Sequence, residues 1–167
     1  FFEKKNKKYN KIQTLGISKT NIDFINKNIL NINKLLWDID KIEIYSGIFN
    51  NEKILNFEKK DVKLFSIVRN NDLYNFLLLN LKKNKLMKFK KNTYYSNIKK
   101  NNYNLIFNCD YSNLISKKFF YKKIAKDYNS SAYISTFKHK KLLNNHTALQ
   151  IFTKRGPLAF LPISEKE

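Results

Sequence analysis

Two stretches of the chain carry apolar residues at the three- and four-residue spacing of an amphipathic helix. The first begins after Ser18, whose hydroxyl oxygen can accept a hydrogen bond from a free N–H group of the first turn. One helix, or two shorter helices separated near Leu30 and Asn31, fits its apolar stripe equally well. The second begins after Asn70 or Asn71, which are also capping residues. The two stripes consist of Ile22, Ile25, Ile29, Ile32 and Leu36, and of Leu73, Phe76, Leu77 and Leu81.

Other stretches have the alternating or continuous apolar pattern of β-strands. Ile42 and Ile44 alternate with polar neighbours, which is typical of a strand with one buried face. The run at 105–107 is almost entirely apolar, so we expect a strand covered on both faces. Gly156 and Pro157 are predicted to form a turn before the last strand. The predicted strands are 41–45, 54–57, 62–68, 86–89, 94–98, 105–107, 132–137, 148–152 and 158–163.

This mixture of helices and strands predicts an α/β (α+β) fold with a large, largely antiparallel sheet. The length of 167 residues suits one domain or a portion of a larger one. Hydrophobic residues make up 43% of the chain and aromatic residues 15%, which excludes an intrinsically disordered tail. A single cysteine excludes a disulfide framework, and no apolar run approaches the roughly 18 residues of a membrane helix.

The formal net charge of +20 suggests nucleic acid or an anionic membrane surface as a partner. However, Arg69 and Arg155 are the only arginines, and arginine is the residue best suited to bidentate phosphate and guanine contacts. The chain is also rich in Asn, Ile, Phe and Tyr, which share A/T-rich codons with Lys. A base bias in the coding sequence therefore explains the lysines better than a dedicated polyanion site does. We expect salt-dependent attraction to anionic partners but no specific nucleic acid.

Few residues have the spacing of a catalytic or metal-binding site. His139 and His146 have no cysteine or carboxylate at ligand spacing, so we predict no metal site and single out no catalytic residue. Cys109 follows an apolar run and is interpreted as a packed, inert thiol. Asp110 ends the same run and precedes polar residues. Because ligands bind beyond the carboxyl ends of strands in open α/β sheets, Asp110 is either a ligand-binding carboxylate or a structural turn residue.

Four segments, taken in order, resemble those of a known enzyme family. Residues 15–21, the helix behind them and Leu36-Trp37 are similar to an "Ala-Leu-Ser" segment, its helix and a following Trp. Residues 68–73 resemble "Val-Glu-Asn-x-x-Leu", and residues 103–110 resemble a strand leading into "Gly-Ala-Asp-Gly". Residues 148–162 resemble "Gln-x-Phe-x-x-x-Gly-Pro-Leu-Ala-Leu-Leu-Pro", the most specific match. The family is that of the FAD-dependent aromatic-ring hydroxylases of ubiquinone biosynthesis, a branch of the p-hydroxybenzoate hydroxylase-like flavin monooxygenases.

The resemblance implies a monooxygenase that uses FAD, NAD(P)H and O2 to hydroxylate a prenylated phenol. Asn70 would contact the ribityl side of the flavin, although it is also a plausible N-cap. Asp110 would lie near the pyrophosphate of FAD and the path of the nicotinamide cofactor. Gln13 stands where the family has an Arg that contacts FAD. The residues implied to shield the substrate, which are also plausible core or turn residues, are Phe152, Pro157 and Leu161.

The resemblance also implies how the chain is divided. Residues 1–110 would be part of the FAD-binding region, with inserted strands and helices, and residues 111–167 would be strands of the substrate-domain sheet. We expect an internal fragment truncated at both ends and inactive alone, because the family's Gly-x-Gly-x-x-Gly turn and later Gly-Asp segment are not in the sequence. The implied location is cytoplasmic, at the periphery of the inner membrane or in a ubiquinone-biosynthesis complex.

Three positions depart from the family pattern: Gln13 replaces Arg, Arg69 replaces Glu, and Tyr111 replaces the Gly after the motif Asp. Two of these departures, Gln13 and Tyr111, support a rival hypothesis, an inactive relative that keeps the flavin fold. The remaining alternative is a non-enzymatic basic module that binds RNA or an anionic membrane.

Overall fold

A computed structural model describes residues 2–3, 13–47, 52–58, 62–91, 103–109, 114–120, 122 and 124–167. The fold is α+β, as predicted; the described strands form a three-stranded antiparallel sheet, a four-stranded mixed sheet and a pair of two-residue parallel strands. The chain forms two compact units, a larger one (Tyr9–Lys83 and Ile134–Glu167) and a smaller one (Phe1–Lys8 and Asn84–Tyr133). The sequence predicts a boundary at residue 110 between a cofactor-binding region and a substrate-binding region. The two compact units do not test that boundary, and it stays a prediction.

The described elements are short. The strands are β1 (Phe2–Glu3), β2 (Thr14–Ser18), β3 (Trp37–Ile39), β4 (Lys41–Ser46), β5 (Glu52–Glu58), β6 (Phe65–Arg69), β7 (Lys90–Lys91), β8 (Thr147–Thr153) and β9 (Gly156–Phe160). The helices are α1 (Lys19–Asn28), α2 (Asn70–Lys83) and α3 (Leu114–Phe119), with a 3₁₀ turn at Asn33–Leu35. None of the helices in the described ranges combines the length and the apolar character that crossing a lipid bilayer requires.

Helix α1 begins as its sequence predicts. The Ser18 side chain accepts a hydrogen bond from the backbone N–H of Asn21 (3.3 Å), which satisfies one free donor of the first turn. Of the two alternatives for the first apolar stripe, the structure has a helix followed by a separate 3₁₀ turn. The Asn26 side chain accepts a hydrogen bond from the N–H of Ile32 (2.9 Å) in the intervening segment, and Ile32 is completely buried.

Strand β6 is the centre of a three-stranded antiparallel sheet in the larger unit, with the order β2–β6–β3. It has a neighbouring strand on each side, and its middle residues Ser66, Ile67 and Val68 are all buried. Helix α2 begins directly after β6, so the start of the helix is fixed to the end of the central strand. Asn70 is its first residue, whereas the sequence predicts a helix that begins after Asn70 or Asn71.

A second sheet in the larger unit has four strands in the order β5–β4–β8–β9. Strands β4 and β8 are parallel, whereas the outer pairs β4–β5 and β8–β9 are antiparallel hairpin partners. The predicted turn at Gly156 and Pro157 is wrong by two residues. The chain reverses at Lys154 and Arg155, and Gly156, with φ +126°, already pairs with Thr153.

The core of the larger unit joins the two sheets. Ile39 of β3, Ile67 of β6 and Ala148 of β8 form its buried centre. Only Asp40 separates β3 from β4, so the chain passes directly from the first sheet into the second. Partly buried side chains that pack against this centre are Trp37, Ile42, Phe65 and Ile163.

Three predicted strands are wrong. Residues 105–107 and 132–137 have no regular structure, and Leu105 and Phe107 are largely exposed. An apolar run indicates a tendency to be buried, but a strand also needs a neighbour for its backbone hydrogen bonds, and the sequence does not name one. Cys109 at the end of the first run is likewise exposed rather than packed. Residues 86–89 are not a strand either; β7 begins at Lys90, and the predicted strand at 94–98 lies outside the described residues.

Candidate functional site

Two of the three predicted cofactor residues are adjacent in the structure. Gln13 immediately precedes β2, and Asn70 is the first residue of α2. Strands β2 and β6 are antiparallel with Thr14 opposite Arg69, which brings the start of one strand to the end of the other. As a result, the backbone N–H of Asn70 donates a hydrogen bond to the carbonyl oxygen of Gln13 (2.9 Å). The third residue, Asp110, lies outside the described residues.

The donors at this junction suit hydroxyl groups better than phosphate. Gln13 is exposed and Asn70 is half-buried, and both have neutral amide side chains that donate and accept hydrogen bonds. The N-terminal end of α2 adds the partial positive charge of the helix dipole. The neighbouring Arg69, however, is engaged by the carboxylate of Glu167 and lies 3.9 Å from that of Asp72. The junction therefore offers two neutral amide groups, whereas Arg69 is already paired with carboxylates.

The predicted substrate residues share one face of the four-stranded sheet. Phe152 of β8 lies directly opposite Pro157 of β9, and successive side chains of a strand alternate between faces. Leu161 follows Pro157 by four residues and lies on the same side, beside Ala159 and Gln150. The side chains on this face, which we call the apolar sheet face, are Leu55, Phe57, Ile42, Ile44, Ser46, Ala148, Gln150, Phe152, Pro157, Ala159 and Leu161.

An open hollow of about 200 Å³ lies at one end of the apolar sheet face. It forms where the face meets Phe65 at the start of β6, so both sheets of the larger unit contribute to it. Of the three predicted substrate residues, Leu161 lines the hollow, whereas Phe152 and Pro157 lie farther along the sheet. Its lining residues are Ile42, Phe65, Ala148, Leu149, Gln150, Ala159 and Leu161.

The Gln13–Asn70 junction and the hollow are at opposite ends of β6. Phe65 begins the strand at the hollow, and Asn70 follows its last residue. At about 3.3 Å per residue, the five steps from Phe65 to Asn70 span about 17 Å. The structure thus gathers the predicted residues into two groups, one at each end of the same central strand, rather than into one cavity.

The opposite face of the sheet is charged near β4 and β5. Glu43 accepts hydrogen bonds from Lys53 Nζ (2.6 Å) and the Tyr45 hydroxyl (3.0 Å), and Lys41 Nζ lies 3.2 Å away. The hydrogen bond from Lys53, followed by those from Lys41 and Tyr45, lowers the pKa of Glu43 from 4.5 to about 2. The same contacts raise the pKa of Lys41 and of Lys53. These contacts stabilise the sheet from the side opposite the apolar sheet face.

A contact that the sequence does not indicate joins the two sheets. The rings of Trp37 and His146 stack with centroids 4.8 Å apart and planes 10° from parallel. Trp37 Nε1 donates a hydrogen bond to the carbonyl oxygen of Asn145 (2.8 Å), and His146 Nδ1 lies 2.7 Å from the carbonyl oxygen of Asp38. Over a hundred residues separate the two sides of this contact, so no local pattern could have predicted it.

The sequence also did not indicate the other residues that line the hollow. Gln150 and Ala159 follow from the alternation of β8 and β9 once Phe152 is assigned to a face, but Phe65 comes from a different sheet. In the part of the chain that the structure describes, no group of three His, Cys, Asp or Glu residues could hold a metal ion.

Comparison with known proteins does not assign the chain to a family: no protein-family model matches it, and no curated protein is significantly similar to it.

Proposed function

We propose that this chain is part of an FAD-dependent monooxygenase that hydroxylates a prenylated phenol in ubiquinone biosynthesis. The observation that carries the proposal is the hydrogen bond from Asn70 to Gln13, because it joins two residues that the resemblance assigns independently to FAD. The two positions come from distant segments, and nothing in their local sequence requires them to meet.

On the cofactor side, Asn70 and Gln13 would hold the ribityl chain of FAD. Their amide groups supply both donors and acceptors, which suits a chain of hydroxyl groups. The bound flavin, reduced by NAD(P)H, supplies the O2 chemistry of the reaction. The residues of this chain bind and orient the cofactor.

On the substrate side, the apolar sheet face would shield the prenylated ring. Phe152 and Leu161 are 43% and 49% exposed, so they offer apolar surface that a ligand can cover. Most side chains of this face lack hydrogen-bonding groups, which favours the exclusion of water from a bound prenyl chain. Gln150 is a polar group on the lining of the hollow and would orient a phenolic hydroxyl.

The proposal is tested on the complete protein, expressed from its coding sequence with both flanking regions. We expect purified protein to contain FAD and to oxidise NAD(P)H faster when a prenylphenol is added. Asn70→Ala should weaken FAD binding about tenfold, because one hydrogen bond to the ribityl chain is lost. Asn75→Ala is the matched control, since Asn75 is an exposed residue of the same helix. Flavin-free protein without NAD(P)H oxidation would refute the proposal.

The substrate side has its own test. Phe152→Ala should raise KM for a long-chain prenylphenol by about tenfold and leave KM for an unprenylated phenol nearly unchanged. Leu158→Ala is the matched control, because Leu158 is 49% exposed on the same hairpin but points to the opposite face. Equal effects of both substitutions would assign the apolar sheet face a purely structural role.

A second candidate is an inactive relative that retains the fold, and Gln13 is the observation that favours it. The family has an Arg at this position, and Gln13 is exposed at the junction with Asn70. Gln13→Arg distinguishes the two. If it tightens FAD binding without producing turnover, the protein is a non-catalytic relative; turnover by the unmodified protein excludes that candidate.

A further inference from the structure

In the smaller unit, the described residues of the stretch 114–128, which are 114–120, 122 and 124–128, combine exposed apolar side chains with a concentration of positive charge. We call this stretch the basic–aromatic segment. Phe120 is 71% exposed and Ile124 is fully exposed. The segment contains five lysines and one carboxylate, Asp127, which accepts a hydrogen bond from the N–H of Asn129 (2.9 Å). A soluble surface normally separates large apolar side chains, so a cluster of them marks an interaction surface.

We propose that the basic–aromatic segment binds the surface of an anionic phospholipid bilayer. Its charge is complementary to that of acidic headgroups, and lysines close to such a surface are attracted to it. The apolar residues add a hydrophobic contribution to binding, since aromatic and aliphatic side chains enter the boundary between headgroups and acyl chains. This surface would make the contact with the inner membrane that the family resemblance implies, and it involves no flavin chemistry.

Charges and rings lie side by side in this segment. Lys118 Nζ is 5.9 Å from the centre of the Phe119 ring, and Lys126 Nζ is 5.6 Å from the centre of the Tyr128 ring. An ammonium group and a neighbouring ring therefore reach the same external surface together. Lysine stems are also apolar, which lets the ammonium group stay among headgroups while the stem contacts lipid.

The backbone limits how deeply the segment can enter. Helix α3 has six residues, and the other described residues of the segment have no regular structure. Backbone N–H and C=O groups without intramolecular partners are costly in hydrocarbon. Binding is therefore restricted to the headgroup level, with side chains rather than backbone inserted into the bilayer.

Nucleic acid is the less suitable occupant. The segment has no arginine, and both arginines of the chain lie elsewhere, at Arg69 and Arg155. Arginine supplies most bidentate contacts to phosphates and guanine. The aliphatic Leu114 and Ile124, both largely exposed, contribute to a lipid contact but not to stacking on bases.

The experiment measures partition of the full chain onto phosphatidylcholine vesicles with and without phosphatidylglycerol. We expect binding only with phosphatidylglycerol. Each lysine at an anionic surface contributes about fivefold, so neutralising four should reduce partition by more than about a hundredfold. The four substitutions to Gln are at Lys117, Lys118, Lys122 and Lys126. The control set, with the same change in net charge, is Lys19, Lys27, Lys82 and Lys83, exposed residues of α1 and α2. If the two sets reduce partition equally, net charge alone drives binding and the proposal is overturned.

A second pair of variants tests apolar insertion. Phe120→Ala combined with Ile124→Ala should reduce partition about tenfold or more. The control combines Phe24→Ala with Leu79→Ala, which are 60% and 59% exposed in the larger unit. No loss from the first pair would overturn the insertion of side chains.

Tryptophan fluorescence can report the insertion of a side chain into the bilayer directly. Phe120→Trp should show a blue-shifted emission in phosphatidylglycerol vesicles, whereas Phe24→Trp should not. A single-stranded oligouridylate that binds more tightly than the vesicles, through the same lysines, would overturn the lipid assignment. These measurements need neither flavin nor turnover, so their failure and that of the proposed function are distinguishable.

Discussion

Glu43 shows how a single residue stabilises the four-stranded sheet. Its carboxylate, on β4, contacts Lys53 of β5 and therefore links the two strands. It also contacts Lys41 and the Tyr45 hydroxyl of β4 itself. These contacts stabilise the ionised form, so the pKa of Glu43 is about 2 instead of 4.5. A group with a lowered folded-state pKa stabilises the protein above its unfolded pKa and loses that effect as the pH falls.

Glu43→Gln is therefore expected to lower the free energy of unfolding at neutral pH by up to about 1 kcal/mol. The difference from the unmodified protein should shrink as the pH falls below 4.5 and vanish near 2. Urea unfolding across this range measures it. Glu52→Gln, an exposed position on β5, is the control. A pH-independent difference would show that Glu43 acts through packing rather than charge.

At the scale of elements, the β8–β9 hairpin depends on the backbone of Gly156. Its φ of +126° lies in a region that residues with a Cβ rarely adopt. No atom lies within 4 Å of where a Cβ would be placed, so the obstacle to substitution is conformational rather than a clash.

Gly156→Ala should consequently lower the free energy of unfolding by about 1–2 kcal/mol. Gly16→Ala is the control, because a Cβ there would only make ordinary contact with Phe65 at 3.5 Å. We expect that change to stay within about 0.5 kcal/mol. Thermal unfolding of both variants checks the prediction, and equal shifts would show that the hairpin tolerates a Cβ at Gly156.

Elements with a local cause were predictable from the sequence. Ser18 caps α1, β6 is followed directly by α2, and the alternation of Ile42 and Ile44 with polar residues predicts the strand β4. Partnerships between distant segments were not predictable. The stack of Trp37 on His146, for example, depends on how two sheets meet, which no local pattern encodes.

At the scale of the whole molecule, the two compact units differ in how much they bury. All the buried hydrophobic residues of the described chain lie in the larger unit. The described part of the smaller unit has one buried side chain, Ser116, and several exposed apolar ones. Stability is therefore unevenly distributed along the chain.

Amide hydrogen exchange should reflect this difference. We expect the slowest exchange in β6 and β8, whose backbone groups pair with neighbours on both sides. Residues 132–137, which have no regular structure, should exchange nearly as fast as an unstructured peptide. If the amides of 132–137 exchange as slowly as those of β8, the irregular structure of this stretch is wrong and the strand that the sequence predicts is present.

The parallel pairing of β4 with β8 has a consequence for how the protein folds. The hairpins β4–β5 and β8–β9 can each form locally, but joining them closes a loop of about 100 residues. We therefore expect this late, non-local step to set the folding rate. Because the entropy of loop closure grows only with the logarithm of length, doubling the intervening chain would add about 0.6 kcal/mol. The junction between the two hairpins can thus tolerate large insertions in the segment that it encloses.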